Sequence, residues 1–380
     1  MKHKKLYNFY TIFCTSVWVT FILSQLVYMF SSFSNMDEMT SIIYVAGTVT
    51  IDLVKMLAIY SNMDRIKPLL NDLNNPLFQP KCKEHVELAL AVKKFHSRLF
   101  YFCLYFGVQT YICFSAIPFI LEENVTLTQG WFPIDWTYSP NYEIVYAFQN
   151  IVILWNTLIF LNLDTFTSGL LMQVGLQCDF LSTTFNKIDA FHVSSGVLIE
   201  NGEQMALSLK DNHEFFNRVM TENLIVCVKH YRKIRRLATE IEDIHHISVF
   251  ILFLGGAIII CADLFQLSIV QTGGVEFVLF VSFLMCMLME QFMYCWFGNE
   301  IIFKSDNIFA ASYNTPWLDC DLKFRKILLN FMTQSIDPIG LKAGGLFTMS
   351  IKAFVSVLKS AYSYFTLLQR IQEKECSELN

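Results

Sequence analysis

Charge is scarce in this 380-residue chain: 16% of residues are Asp, Glu, Lys or Arg, against 54% hydrophobic and 15% aromatic. A soluble surface needs more charge than that, which argues against a soluble enzyme. Positive charge is not in excess either. The 28 Lys and Arg stand against 33 Asp and Glu, a formal −5, and offer no basic face for nucleic acid. Eight prolines and 15 glycines are too few for a disordered or fibrous chain. The eleven cysteines lack CxxC or Cys/His ligand spacing. Those at Cys103, Cys113, Cys261, Cys286 and Cys295 lie inside apolar runs, so neither a disulfide framework, a metal site nor a cofactor is expected.

What the chain has is long apolar runs. A bilayer core of roughly 30 Å takes about 20 apolar helical residues, because lipid satisfies no backbone polar group. Seven stretches qualify: Tyr10 to Phe30, Ser41 to Ser61, Leu99 to Leu121, Glu143 to Leu163, Ile247 to Val270, Val275 to Phe297 and Gly345 to Leu368. The fourth keeps apolar periodicity past Gln173 and is expected to continue as a helix beyond the membrane. Only Gln271-Thr272-Gly273-Gly274 separates the fifth from the sixth, which predicts a helical hairpin. The first run is too long for a signal-peptide core and has no small-residue cleavage site after it.

Lys and Arg sort the loops. They crowd residues 2–5, 62–98, 178–246 and 298–344, whereas 31–40, 122–142 and 271–274 have none. Cytoplasmic loops retain such residues, so the expected fold is an all-α membrane protein with seven transmembrane helices, a cytoplasmic N-terminus and an extracellular C-terminus. That orientation is the reverse of a G-protein-coupled receptor. The sequon at Asn124-Val125-Thr126 falls on the external side, making Asn124 a candidate glycosylation site.

Between Phe215 and Ile247, Val219, Val226, Ile234, Leu237, Ile241 and Ile244 recur at helical spacing, so the fifth span is expected to reach well into the cytoplasm. His245 and His246 are adjacent and diverge on a helix, a poor metal pair. The 298–344 segment carries Trp317, Phe324, Leu328 and Met332, which need a partner: either this chain's own extended helices or another subunit, and the slightly favoured reading is a subunit anchor. Asp337-Pro338 ends that helix and Gly344-Gly345 precede the last span, so the seventh helix is expected to be broken into cytoplasmic and membrane halves. Four regions follow: 1–297, six spans with cytoplasmic extensions; 298–344, the anchor; 345–369, a pore-lining helix; and 370–380, an extracellular tail.

The last span has a polar stripe. Lys352, Ser356, Lys359, Ser363 and Arg370 sit at offsets 0, 4, 7, 11 and 18, within about 40° of one helical line. Charge at membrane depth is costly unless it faces water or protein, so the favoured reading of the stripe is a pore wall, the other being that Lys352 snorkels to the inner headgroups while the serines bond their own helix. Leu367 and Ile371 lie near its outer end and suit a hydrophobic gate. One helix cannot enclose a pore, so this reading demands an oligomer.

At these residues the chain resembles the insect odorant receptors. The likeness is carried by Tyr313, Trp317, the Phe324-Arg325-Lys326-Ile327-Leu328-Leu329 run, Met332, Pro338, Leu341, Ala343-Gly344, Ser350, Phe354, Leu358-Lys359, Tyr362-Ser363-Tyr364-Phe365 and Leu367-Leu368. The resemblance implies an odorant-gated, non-selective cation channel in the plasma membrane of olfactory sensory neuron dendrites. Its implied partners are a volatile hydrophobic odorant, the lipid bilayer and olfactory co-receptor subunits in a tetramer. Leu367 and Ile371 fall at the family's gate. Family members usually carry some tens of residues before the first span, which here starts almost at once, and the resemblance therefore implies a short isoform or truncated N-terminus.

The resemblance also implies an odorant site in the outer membrane halves of the second to sixth helices. Residues of suitable depth and type there are Tyr44, Thr48, Asp52, Gln109, Tyr111, Phe114, Tyr146, Gln149, Asn150, Phe265, Phe277 and Phe280. Asp52 and Lys55, three apart on one helix, are expected to pair with each other. A secondary transporter fits less well, for lack of an internal repeat. A metabotropic receptor needs the opposite orientation, and Tyr362-Ser363-Tyr364-Phe365 argues against a gustatory receptor.

Overall fold

The computed structural model describes residues 2–31, 36–121, 126–201 and 212–378. Asn124, the candidate glycosylation site, lies outside them. The helices are α1 (Lys2–Ser31), α2 (Met36–Ser61), α3 (Met63–Asp72), α4 (Lys83–Leu121), α5 (Asn141–Asn186), α6 (His213–Ile269), α7 (Val275–Tyr313), α8 (Leu322–Ser335) and α9 (Ile351–Glu378). Six of them, α1, α2, α4, α5, α6 and α7, are long and apolar enough to cross a membrane. The seventh expected span, α9, is not among those six, because Lys352, Lys359 and its serines dilute its apolar residues.

Helix length shapes the molecule. With 46 and 57 residues, α5 and α6 run to about 69 and 85 Å, more than twice a bilayer core of roughly 30 Å. Asn212 starts α6 by accepting hydrogen bonds from the backbone N–H groups of Glu214 and Phe215. Both helices project on the side where Lys and Arg concentrate, here called the basic side. There α4 also begins at Lys83, well before the expected Leu99, so much of what reads as a loop over 62–98 is helix.

The projecting segments enclose a core of their own. Phe331 of α8 packs against Phe185 of α5, with ring centroids 5.0 Å apart, and against Tyr231 of α6 at 5.2 Å. A small antiparallel hairpin, β1 (Phe191–Ser194) with β2 (Val197–Glu200), closes one end. It turns at Ser195 and Gly196, both with positive φ, as a two-residue hairpin requires.

This core corrects one expectation. Phe324 and Leu328 are buried inside the subunit and are not a contact surface; Trp317 and Met332 are half-buried against the same core. The exposed line of α8 is instead Leu322, Lys326, Leu329, Thr333 and Ile336, spaced alternately by four and three residues.

The seventh helix is broken, as expected. Between α8 and α9 a two-residue pairing of β3 (Lys342–Ala343) with β4 (Phe347–Thr348) turns at Gly344 and Gly345, whose φ values of +59° and +72° suit glycine. Met349 then lies so close to Gly298 of α7 that a Cβ there would meet its carbonyl oxygen at 2.5 Å. That contact helps fix where α9 starts, six residues later than the expected Gly345.

Candidate functional site

Four helices surround an apolar cavity of about 80 Å³ in the half of the bundle away from the basic side. Gly107, Thr110, Tyr111 and Phe114 of α4 face Ile153, Asn156, Thr157 and Phe160 of α5 across it. Both quartets follow the i, i+3, i+4, i+7 spacing that puts residues on one helical face. Val45, Thr48 and Val49 of α2 and Phe283, Cys286 and Met287 of α7 complete the wall. Gly107 lets α4 approach α5, since a Cβ there would lie 3.3 Å from Thr157. Aromatic edges support one end: Tyr44 meets the rings of Phe280 and Phe283 at 5.5 and 5.1 Å.

One turn further toward the basic side lies a buried charge cluster. Lys55 of α2 donates to Asp164 of α5 at 2.9 Å and to Glu290 of α7. Asp52 stands 3.6 Å from the same ammonium, so the expected pairing within α2 is the longest of three. Asp164 also accepts from the Tyr294 hydroxyl at 2.7 Å, and Asp52 from Asn156 Nδ2 at 3.0 Å. None of the four charged side chains is more than 5% exposed. A single ammonium therefore ties three helices together, and Asn156 links its cluster to the cavity wall.

Of the twelve residues nominated for ligand contact, Thr48, Tyr111 and Phe114 line the cavity. Tyr44 and Phe280 buttress it, and Asn150 holds the Tyr111 hydroxyl at 3.4 Å. Asp52 belongs to the charge cluster. The others are placed elsewhere. Gln149 is occupied by the 126–128 segment, accepting from Leu127 N at 2.9 Å and donating to Thr128 O at 2.8 Å. Tyr146 donates to the Ser115 carbonyl and stacks on Tyr142. Phe265 is buried in the α6 packing, while Gln109 and Phe277 are half-buried away from the cavity wall.

The stripe on α9 points outward. Lys352, Ser356, Lys359, Ser363 and Arg370 are all exposed, as are Leu367 and Ile371 at 54% and 39%. Among the described residues no acidic side chain pairs with any of the three cations. The opposite face, with Ala361 fully buried and Phe354 packed on Phe292, rests on the bundle.

The profile of the 7tm odorant receptor family matches residues 35–362. The chain belongs to that family. It is similar to odorant receptor Or1 of Anopheles gambiae, 23% identical over 359 residues that cover 93% of this chain and 86% of that one. It is also 23% identical to odorant receptor 46a, isoform A, of Drosophila melanogaster, over 93% of this chain and 88% of the relative. Its fold matches the solved insect olfactory receptor OR5 from Machilis hrabei in complex with eugenol, with a TM-score of 0.83, 14% identity, and coverage of 97% of this chain and 90% of that one. An odorant receptor is a membrane-spanning, ligand-gated channel subunit and not an enzyme, and membership in this family decides against the gustatory alternative.

Proposed function

We propose that this odorant receptor binds a volatile, hydrophobic odorant in the α2–α4–α5–α7 cavity and lines a non-selective cation pore with α9, in a tetramer shared with the olfactory co-receptor. The N-terminus then lies in the cytoplasm and the C-terminus outside, in the plasma membrane of olfactory sensory neuron dendrites. The carrying observation is the outward stripe of α9: charges turned away from their own bundle need water or another subunit. The exposed line through Leu322, Leu329 and Ile336 offers the basic-side surface for assembly. Lys352, Lys359 and Arg370 repel cations, so co-receptor residues or a wide vestibule must carry the conduction.

The cavity suits this role in kind and is tight in size. At about 80 Å³ it is smaller than the roughly 150 Å³ that accommodates benzene in an engineered apolar cavity. A volatile enters by displacing side chains, and Met287, unbranched and polarizable, yields most readily. Co-expression with the co-receptor is expected to give odorant-evoked cation current that persists under G-protein blockade. Current abolished by that blockade would overturn the channel reading.

A further inference from the structure

The hydrogen-bonding groups on the cavity wall are almost all of one kind. Thr48, Thr110 and Thr157 each carry a hydroxyl, yet each donates its proton to a carbonyl of its own helix: Tyr44 O at 2.6 Å, Phe106 O at 2.9 Å and Ile153 O at 2.9 Å. The Tyr111 hydroxyl is held only loosely, by Asn150 Oδ1 at 3.4 Å, an oxygen that already accepts from Ser115 Oγ at 2.8 Å. The Cys286 thiol lies 3.4 Å from Thr110 Oγ1, whose proton is already committed, so the thiol donates there. The Asn156 amide donates from Nδ2 to Asp52 Oδ2 at 3.0 Å. Asn156 Oδ1 is buried and has no partner. Apart from the loosely held Tyr111 hydroxyl, donors are thus spent within the protein, and acceptor lone pairs are most of what the wall has left to offer.

We propose that this cavity selects volatiles carrying a hydrogen-bond donor, alcohols and phenols, and seats the donor on Asn156 Oδ1. The proposal rests on the cavity being the odorant site. An ether or ketone of the same shape brings only an acceptor, which Asn156 Oδ1 cannot satisfy and which loses its water on entry. An alcohol satisfies both itself and the orphaned Asn156 oxygen. Its other end meets only apolar side chains, so chain length and ring size are read loosely and the donor is read closely.

The test uses the full chain co-expressed with the co-receptor, with surface density measured for every variant. The probes are matched pairs: phenol and anisole, benzyl alcohol and benzyl methyl ether, 1-hexanol and 2-hexanone. Each donor is expected to act at about tenfold lower concentration than its acceptor-only partner. Asn156→Leu should erase that difference by weakening the donors alone. Because Asn156→Leu also leaves Asp52 without its amide, the double variant Asp52→Asn/Asn156→Leu is measured beside it. Equal potency within the pairs in the unmodified receptor would overturn the proposal, as would silence to every pair. An equal loss for both members in both variants would make Asn156 a purely structural residue and overturn it too. Gly107→Leu, which fills the cavity, separates the two levels. If it leaves all responses unchanged, the cavity is not the odorant site. If it abolishes them while the matched pairs act equally, only the donor preference falls.

Discussion

Two groups of cations in this receptor have opposite circumstances. Lys55 is buried and has three carboxylates within 3.6 Å, supplied by α2, α5 and α7. Lys352, Lys359 and Arg370 are exposed on one side of α9 and have no such partners among the described residues. The first arrangement completes the fold of a single chain. The second leaves charge to be satisfied by something the chain does not contain, water or a neighbouring subunit. Energetic weight and functional weight are therefore expected to separate: substitutions at Lys55 should act on folding, and those on α9 on conduction.

The sharpest way to break this contrast is Lys55→Met. Removing one partner from a buried ion cluster costs about 3–5 kcal/mol, and here it strands three carboxylates, so surface labelling should find almost no receptor. Adding Asp164→Asn and Glu290→Gln should restore part of the signal. Full surface expression of Lys55→Met alone would show that the cluster does not hold the bundle.

A second contrast lies within α8. Phe324→Ala opens a cavity in the basic-side core and is expected to cost about 3–5 kcal/mol, read as a lower melting temperature of the purified protein. Leu329→Ala on the exposed line should stay within about 0.5 kcal/mol of the parent and should instead reduce co-purification with the co-receptor.

Acid probes buried charge without a carboxylate to receive it. His85 stacks on Phe180 with ring centroids 4.4 Å apart, and burial, aided by Lys81, pushes it down to about 4. Burial also lowers His230, whose Nε2 meets Gln177 Oε1 at 3.0 Å. Both rings are neutral in the fold and take a proton more readily once unfolded. The stability they contribute is fully present above pH 6.5 and is lost as pH falls below it, for His85 down to about pH 4. For His85 the loss at pH 5 should be about 2 kcal/mol. A melting temperature that does not change between pH 7 and pH 5 would remove these histidines from the core's energetics.

The smallest expected effects on stability are on α9. Leu367→Ala and Lys359→Ala should each stay within about 0.5 kcal/mol. The first is expected to raise basal leak and the second to raise cation conductance, both read by patch clamp with surface density as the control. Normal closure and unchanged selectivity in Leu367→Ala would take Leu367 out of the gate.

Much of this was legible in the sequence. The spans show because lipid enforces long apolar runs, and the reach of α5 and α6 shows in apolar periodicity that outlasts the membrane. The early start of α4 does not, since its charged first turns read as a loop until they pack on α5. The Ser195-Gly196 pair is a local signal for the two-residue hairpin turn between β1 and β2. On α8 both faces are apolar, and sequence alone cannot say that Phe324 and Leu328 turn inward while Leu322 and Leu329 turn out. Depth alone was a poor guide to the cavity. The better signal was the quartet spacing, small or hydroxyl residues such as Gly107, Thr110 and Thr157 one turn from an aromatic ring. Glu290, an acid in the middle of an apolar run, was also readable as an intramembrane charge in need of a partner.

Cavity, charge cluster and basic-side core share a single unbroken helix, α5, through Asn156, Asp164 and Phe185. Asn156 and Phe185 stand about 43 Å apart on it, and a tilt of about 3° at one displaces the other by about 2 Å. A rigid tilt of α5 begun at the cavity would therefore also displace the Phe185–Phe331–Tyr231 ring cluster of the basic-side core.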